Sequence, residues 1–254
     1  MRHTFGILLA RHNPQKQCIE FLMVQKPYCY GFNQLIMGRY RRSDERNLLG
    51  LMRDMSQEDR STLASLDFDK CYYRIYKRFP EPETRRHLVY TEAKAHFEQE
   101  FTNDPNKVIH RLLAQLPSGP TQWSIPAGHK INKMEGDLEC ALREFSEETR
   151  IPKSDLIILD LKPRVWQYHS SGNTYSISCF LAILANPKWH DSNTLRIDYR
   201  DPSHQSEVID IKWMGLQNMA IVDNRNIVSF LRPMSHIFRK HRISRLSPGT
   251  VSRY

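Results

Sequence analysis

Three glutamates stand close together between Gly128 and Ile151, on a segment whose pattern predicts a helix. Residues three and four apart share one helix face, so Glu144, Glu147 and Glu148 form a single acidic stripe. Like charges at this spacing repel by roughly 0.2–0.5 kcal/mol per pair. A solvated face tolerates that repulsion, whereas an inward-facing stripe requires a cation such as Mg²⁺, which prefers oxygen ligands. Two interpretations therefore stand side by side, a solvated helix face and a metal site.

The composition describes a folded, basic protein. The chain has 254 residues, 40% of them hydrophobic, which excludes a disordered polymer and allows one large domain or two small ones. Its 37 Lys and Arg against 28 Asp and Glu give a net charge of +9. Such a balance favours polyanionic partners, namely nucleic acid, phosphorylated small molecules or an acidic membrane surface, although simple solubility explains it equally well.

The cysteines and the apolar segments indicate a reducing compartment. Five cysteines are an odd number, they are widely spaced, and they form no CxxC or zinc pattern. We interpret them as reduced thiols of a cytosolic protein. The apolar part of the N-terminus is too short for a secretory signal, and no apolar run is long enough to span a bilayer. We therefore expect no membrane insertion.

The pattern of apolar residues changes twice along the chain. Phe5–Arg11 and Ile19–Gln25 have the character of two strands joined by a turn. Residues 37–118 show helical spacing instead, and strand character returns after a Pro- and Gly-containing linker. We predict an α/β domain formed by residues 1–36 and 119–254 and interrupted by an all-helical domain over residues 37–118.

An aromatic stripe within the helical segment also has two interpretations. It recurs at helical spacing and consists of Phe68, Tyr72, Ile75, Tyr76 and Phe79. Such a stripe is either a base-stacking platform or part of a hydrophobic core, and this spacing is more typical of a core.

The central stretch resembles the Nudix hydrolase signature, G-x5-E-x7-R-E-U-x-E-E-x-G-U, in which U is aliphatic or bulky and apolar. The matching residues are Gly128, Glu135, Arg143, Glu144, Phe145, Glu147, Glu148 and Ile151. There are two departures from the signature. Six residues instead of five separate Gly128 from Glu135, and Arg150 replaces the second glycine. A side chain in the left-handed position after a helix costs about 1 kcal/mol or else changes the loop geometry.

The Nudix resemblance implies an α/β/α sandwich with a mixed sheet and hydrolysis of phosphoric anhydride bonds with Mg²⁺ or Mn²⁺ as cofactor. It implies metal ligation by Glu144, Glu147 and Glu148 and by the carbonyl of Gly128, and a supporting pair formed by Glu135 and Arg143. Glu144 or Glu147 is the expected catalytic base for water. Glu207, just before a predicted strand, is a further catalytic candidate, with an ordinary surface glutamate as the alternative.

More of the chain resembles the mRNA-decapping Nudix enzymes of large DNA viruses, of the African swine fever virus type and, more distantly, the poxvirus type. The segments that carry this resemblance are MVQKPYCYGF, SLDFDKCYYRIY, WSIPAGHK and CALREFSEET. It implies cleavage of the mRNA cap to m7GDP and 5′-monophosphate RNA, in the host cytoplasm. One departure is Ala127, where decapping relatives commonly carry a lysine that Lys130 and Lys133 would replace.

Two other functions remain as alternatives. One is a Nudix hydrolase of diphosphoinositol polyphosphates or small nucleotide pyrophosphates, and the other is an RNA-binding protein with weak catalysis. The oligomeric state is open, with a homodimer as one form. The candidates for phosphate binding along RNA are basic residues, namely Lys107, Arg111, Lys130, Lys133, Arg239, Lys240 and Arg242. The candidates for stacking on the cap base are Trp166, Tyr168 and Tyr175.

Overall fold

The computed structural model describes residues 2–41, 44–105, 107–119, 121–170, 173–222 and 227–246, without the side chains of residues 2, 170, 173 and 241–246. The strands are β1 (Arg2–Asn13), β2 (Cys18–Gln25), β3 (Trp123–Ser124), β4 (Ala127–Gly128), β5 (Leu156–Ser170), β6 (Asn173–Leu184) and β7 (Asp210–Gly215). The helices before β3 are α1 (Tyr30–Ile36), α2 (Glu45–Met52), α3 (Gln57–Ala64), α4 (Phe68–Tyr76), α5 (Arg85–Phe97) and α6 (Val108–Ala114). The later helices are α7 (Asp137–Thr149), α8 (Pro202–Glu207), α9 (Leu216–Val222) and α10 (Ile227–Leu246).

The strands form one mixed sheet in the order β3-β2-β1-β6-β5, with β4 paired to β1 and β7 to β2. The central strand β1 runs parallel to β6 and antiparallel to β2. Its side chains alternate between two cores, because successive residues of a strand point to opposite faces. Leu8 lies in the core under α9 and α10, and Ile7 lies in the core under α7. The predicted α/β/α sandwich with a mixed sheet is confirmed.

The six helices from α1 to α6, which we call the helical unit, enclose a hydrophobic core of their own. This core begins at Cys29 and includes Phe32 of α1, so the helical packing starts several residues before the predicted boundary at residue 37. Short-range sequence signals placed α1 with the strands because Tyr30–Ile36 carries only two turns of helix. That the unit is a separate domain remains a prediction.

The aromatic stripe is mostly core. Phe68, Tyr72 and Ile75 are buried inside the helical unit, as the spacing predicted. Phe79, at the end of the stripe, is 51% exposed and lies beside Tyr73, which is 50% exposed. The stripe therefore changes from core to surface along its length.

Strand β5 is a single long strand with an irregular pairing. Register shifts between Ile158 and Asp160 and between Asp160 and Arg164 interrupt its pairing with β6. Such bulges break the period-two alternation that identifies a strand in a sequence. Within the described residues, no helix combines the length and apolar character needed to cross a membrane.

Two glycines of the helical unit give a matched test of its packing. A Cβ on Gly31 of α1 would lie 1.9 Å from the carbonyl oxygen of Leu51, whereas a Cβ on Gly50 of α2 would meet no atom within 4 Å. We expect Gly31→Ala to lower the free energy of unfolding by more than about 2 kcal/mol, because the backbones of α1 and α2 must separate. Gly50→Ala should raise it by up to about 1 kcal/mol through helix propensity.

Chemical denaturation of the two variants beside the unmodified chain measures both effects. The comparison is specific because the same substitution is made once at a crowded position and once at an open one. A Gly31→Ala variant as stable as the Gly50→Ala variant would contradict the close approach of α1 and α2.

Candidate active site

Helix α7 presents its glutamates to the loop that precedes it and to helix α8. Its N-terminus begins after Gly136, and Asp137 and Glu139 in the first turn favour it, because acidic side chains interact well with a helix N-terminus. Ala141 and Phe145 of α7 are buried in one sheet core. Packing of this apolar face fixes the rotation of the helix and hence the direction of its acidic stripe.

Arg143 contacts three of the glutamates. Its Nε donates to Glu135 Oε1 at 2.8 Å, and its Nη1 donates to Glu144 Oε1 at 2.8 Å and to Glu147 Oε2 at 3.0 Å. Its Nη2 donates to the carbonyl oxygen of His129 at 2.9 Å. The hydrogen bond to Glu135 raises the pKa of the Arg143 guanidinium, which stays charged. Arg143 thus joins the loop to the helix, and the supporting role of the Glu135–Arg143 pair in the site remains a prediction.

Glu148 faces the interior and is paired with Lys26, a residue that sequence reasoning missed. Its Oε1 accepts a hydrogen bond from Lys26 Nζ, and its Oε2 accepts one from the backbone N–H of Ala127 at 3.3 Å. Burial raises the pKa of Glu148 to about 7, despite the Lys26 charge that lowers it. The available signal for Lys26 was its place directly after an apolar strand, in the KPYCYGF segment that carried the resemblance.

Glu207 approaches the same carboxylates from helix α8. Burial raises the pKa of Glu207, and the negative charges of Glu144 and Glu147 raise it further. The charge of Glu207 therefore interacts with those of Glu144 and Glu147 of α7, and its catalytic role remains a prediction. Helix α8 starts at Pro202, and the side chain of Asp201 caps its N-terminus.

His204 of α8 fastens that helix to α7. Its Nδ1 accepts from the backbone N–H of Asp198 at 3.1 Å, so its Nε2 carries the proton and donates to the carbonyl oxygen of Glu148 at 3.0 Å. His204 is buried, and these two hydrogen bonds satisfy both ring nitrogens. No local pattern in the sequence distinguishes this histidine from the others in the chain.

We call Glu135, Glu144, Glu147, Glu148 and Glu207 the carboxylate cluster. Gly128 lies against it, since a Cβ at Gly128 would fall 2.1 Å from the Glu144 carboxylate. Gly128 is paired with Phe5 of β1, and its carbonyl oxygen lies 3.9 Å from Cys140 Sγ of α7. The extra residue of the 129–134 loop therefore leaves Gly128 beside the helix.

The donor set of the carboxylate cluster suits a hard divalent ion. Its negatively charged oxygens repel one another, and they form ion pairs with two cationic side chains, those of Arg143 and Lys26. Among the residues that the structure describes, no three His, Cys, Asp or Glu side chains already enclose a metal position. Metal ligation by Gly128, Glu144, Glu147 and Glu148 remains a prediction, and it requires these two cations to give up some contacts.

A cleft of about 370 Å³ lies beside the cluster, within the usual range of roughly 300–1,000 Å³ for ligand sites. Its lining includes Lys26, Tyr28, Tyr30, Tyr168, Tyr175 and Glu207. Tyr168 and Tyr175 stack with ring centroids 5.2 Å apart, and Tyr30 meets Tyr175 edge-on at 5.5 Å. Aromatic faces next to carboxylates and a lysine can hold a base and its phosphates together.

Of the three predicted stacking residues, Tyr168 and Tyr175 line the cleft and Trp166 does not. Trp166 is only 4% exposed and packs between Tyr168 and Phe230. The stacking prediction for Trp166 is therefore wrong, because the core covers its ring. The sequence could not show this, because Trp166 and Tyr168 are two residues apart in a strand and therefore lie on the same face.

The predicted phosphate-binding residues are scattered. Arg111 is paired with Glu45, and Lys130 Nζ contacts Asp137 Oδ1 at 2.5 Å. Lys107, Lys133, Arg239 and Lys240 are exposed. Arg242 lies in α10, but its side chain is outside the described residues. These residues lie at α6, in the 129–134 loop and in α10, and their role in RNA binding remains a prediction.

Arg150 keeps the left-handed cap that a glycine supplies in the signature. It has φ 59° and ψ 12°, its N–H donates to the carbonyl oxygen of Ser146 at 3.0 Å, and its side chain is paired with Asp201 of α8. The ion pair is exposed and therefore offsets only part of the strain.

Substitution of Arg150 separates the backbone strain from the ion pair. Arg150→Gly and Arg150→Ala both lose the contact with Asp201, but only glycine adopts positive φ without cost. We expect the glycine variant to exceed the alanine variant in free energy of unfolding by about 1 kcal/mol. Equal stabilities in urea denaturation would show that this position is unstrained.

The NUDIX domain model matches residues 101–235, 135 of the 254 residues. The mRNA-decapping protein g5R of African swine fever virus (isolate Pig/Kenya/KEN-50/1950) is 29% identical over 224 residues, which cover 87% of this chain and 88% of that protein. The asymmetrical bis(5′-nucleosyl)-tetraphosphatase of Caenorhabditis elegans is 30% identical over 128 residues, covering 50% and 83%. A crystal structure of a C. elegans Ap4A hydrolase binary complex has a TM-score of 0.46 and 17% identity, covering 94% of this chain and 99% of that one.

Proposed function

Since this chain belongs to the Nudix family of hydrolases, we propose that it cleaves the 5′ cap of mRNA, releasing m7GDP and leaving 5′-monophosphate RNA. Hydrolysis of a phosphoric anhydride is the activity of the family. The finer choice of substrate is supported by the similarity, over most of the chain, to a viral mRNA-decapping protein. We place the activity in the host cytoplasm, where capped mRNA is translated.

The cleft is the observation that carries this proposal. It joins stacked tyrosine rings, which suit the face of a methylated and positively charged guanine, to Lys26, whose charge suits the phosphates, and to Glu207 of the carboxylate cluster. Tyr168 and Tyr175 are the candidates for stacking on the cap base. Lys26 lines the same cleft as these rings and contacts Glu148 of the carboxylate cluster, so its charge is available to the phosphates of a bound cap.

Within the cleft, the residues of the chain bind and orient the reactants. Glu144, Glu147 or Glu207 can accept a proton from the attacking water, since all three lie at the carboxylate cluster. Arg143 keeps Glu144 and Glu147 in place through its three ion pairs. A bound Mg²⁺ or Mn²⁺ supplies neutralisation of phosphate charge and a lower pKa for bound water.

Glu147→Gln tests the assignment of the acidic stripe. We expect it to lower kcat for Mn²⁺-dependent hydrolysis by at least about 100-fold, because it removes a charged oxygen ligand from the cluster. Glu139→Gln is the matched control, since Glu139 lies on the same helix and its carboxylate accepts a hydrogen bond from the backbone N–H of Gly136, which an amide oxygen can also accept. The initial rate of product release measures both variants, and an unchanged rate for Glu147→Gln would overturn the metal assignment.

Product analysis tests the substrate. Cap-labelled RNA incubated with the enzyme and Mn²⁺ should release m7GDP, separated by thin-layer chromatography. Release of label from a dinucleoside tetraphosphate or a diphosphoinositol polyphosphate, without release of m7GDP, would contradict decapping. Ala127 in the cleft lining favours this second candidate function, since a small residue there leaves room but adds no charge for a long RNA.

The helical unit carries a surface suited to the RNA beyond the cap. Tyr73 and Phe79 are half exposed beside each other, Arg78 directly precedes Phe79, and both Arg78 and Arg86 are exposed. Helix α4, which bears Tyr73, packs against α8 and so lies next to the cleft. Exposed rings with neighbouring arginines are typical of single-stranded nucleic acid binding.

The double variant Arg78→Ala/Arg86→Ala tests this surface. We expect weaker binding of capped RNA and a salt dependence flatter by about two phosphate contacts, at roughly 0.7 per contact for a single strand. Hydrolysis of a cap dinucleotide should stay unchanged. Arg46→Ala/Arg53→Ala, which removes two exposed charges from the same helical unit, is the matched control. Equal losses in the two double variants would assign the effect to net charge alone.

A further inference from the structure

Lys26 stands where the helical unit meets the carboxylate cluster. It directly follows the last residue of β2, and its backbone N–H donates to the carbonyl oxygen of Gln122 at 2.8 Å. Its ammonium contacts Glu148, and its side chain, 28% exposed, lines the cleft. A lysine is a point charge on a flexible four-carbon stem, so the place of its charge depends on how firmly its backbone is held.

The residues after Lys26 are held by a buried ion pair of the helical unit. Arg74 Nη2 of α4 donates to the carbonyl oxygen of Pro27 at 2.8 Å, and the backbone N–H of Cys29 donates to Asp59 Oδ2 of α3 at 3.2 Å. Arg74 also donates to Asp59 Oδ1 from Nε at 3.0 Å and from Nη2 at 2.9 Å. Backbone atoms on both sides of Tyr28 are therefore attached to the same pair.

This ion pair is costly to bury, which calls for a role beyond stability. Asp59 is fully buried and the Arg74 side chain is 11% exposed. Apolar side chains of similar volume usually give equal or greater stability than a buried pair, whereas a hydrogen-bonded pair specifies one geometry. The planar guanidinium of Arg74 presents its donors in a fixed fork, so it sets the Pro27 carbonyl relative to Asp59.

We propose that Lys26 binds a phosphate group of the substrate and that Asp59 and Arg74 are the positioning residues that hold it in the cleft. The helical unit thereby contributes to hydrolysis without touching the reacting atoms. The contact of its ammonium with Glu148 keeps the positive charge of Lys26 inside the cleft. The proposal requires only hydrolysis of a phosphoric anhydride, and it holds equally for capped RNA and for a dinucleotide.

A double-mutant cycle with the full-length chain tests the proposal. The kinetics of Mn²⁺-dependent hydrolysis are measured on one small substrate, either the cap dinucleotide or diadenosine tetraphosphate, whichever the unmodified chain cleaves. Lys26→Met should lower kcat/KM by about tenfold or more, mainly through KM, because a charged hydrogen bond to phosphate is lost. Lys26→Arg should restore part of the affinity. Arg74→Lys keeps the charge but removes the fork, and it should raise KM in the same way.

The combination of variants gives the decisive result. Once Lys26 is methionine, Arg74→Lys should cause little further loss, because its effect passes through Lys26. Losses that multiply in the double variant would overturn the positioning role, and an unchanged KM in Lys26→Met would overturn phosphate binding. Asp59→Asn provides a second cycle if Arg74→Lys unfolds in thermal denaturation. Glu58→Gln, which removes the exposed partner of Arg74, is the control and should leave KM unchanged.

Discussion

Repulsion among five carboxylates is the constraint on which this site depends. Left alone, the glutamates of α7 would turn to solvent, because each neighbouring negative charge raises the cost of holding the next one inward. Arg143 on the outer side and Lys26 on the inner side share that charge between them. Arg143 belongs to α7 and Lys26 follows β2. Their ion pairs therefore connect α7 to its preceding loop and to the end of β2.

Much of this arrangement could be predicted from the sequence because it is local. Glu135, Arg143, Glu144 and the two glutamates that follow lie within fourteen residues, and helical spacing alone brings most of them together. The α/β character could be predicted for the same reason. The adjacent apolar residues Ile7, Leu8 and Leu9 indicate a strand, and their side chains enter the two cores alternately. The mixed sheet followed only from the resemblance, because no spacing shows that β1 pairs with β6.

What the sequence could not show is contact between distant segments. Lys26 and Glu148 are 122 residues apart, and His204 reaches Glu148 from 56 residues away. No periodicity in the sequence links such pairs, and each of these residues, considered alone, could equally be an ordinary solvent-exposed side chain. The stacking prediction for Trp166 was wrong for a related reason. A strand pattern shows on which face of the sheet a side chain lies, but not which other side chains cover that face. Helix α8 was missed because six residues are too few to establish a helical period.

The pairing of β1 has a consequence for how the chain acquires its structure. Arg2–Ala10 of β1 lies parallel to Tyr175–Ile183 of β6, so β1 must wait during synthesis for a partner strand made more than 170 residues later. Contacts of such long sequence separation form slowly, since the intervening loop must be closed first. The helical unit, whose contacts lie within a single stretch of chain, can assemble during that wait and shorten the loop that remains. Insertion of the helices between β2 and β3 therefore lowers the entropic cost of closing the sheet, a step that can occur only after β6 has been synthesised.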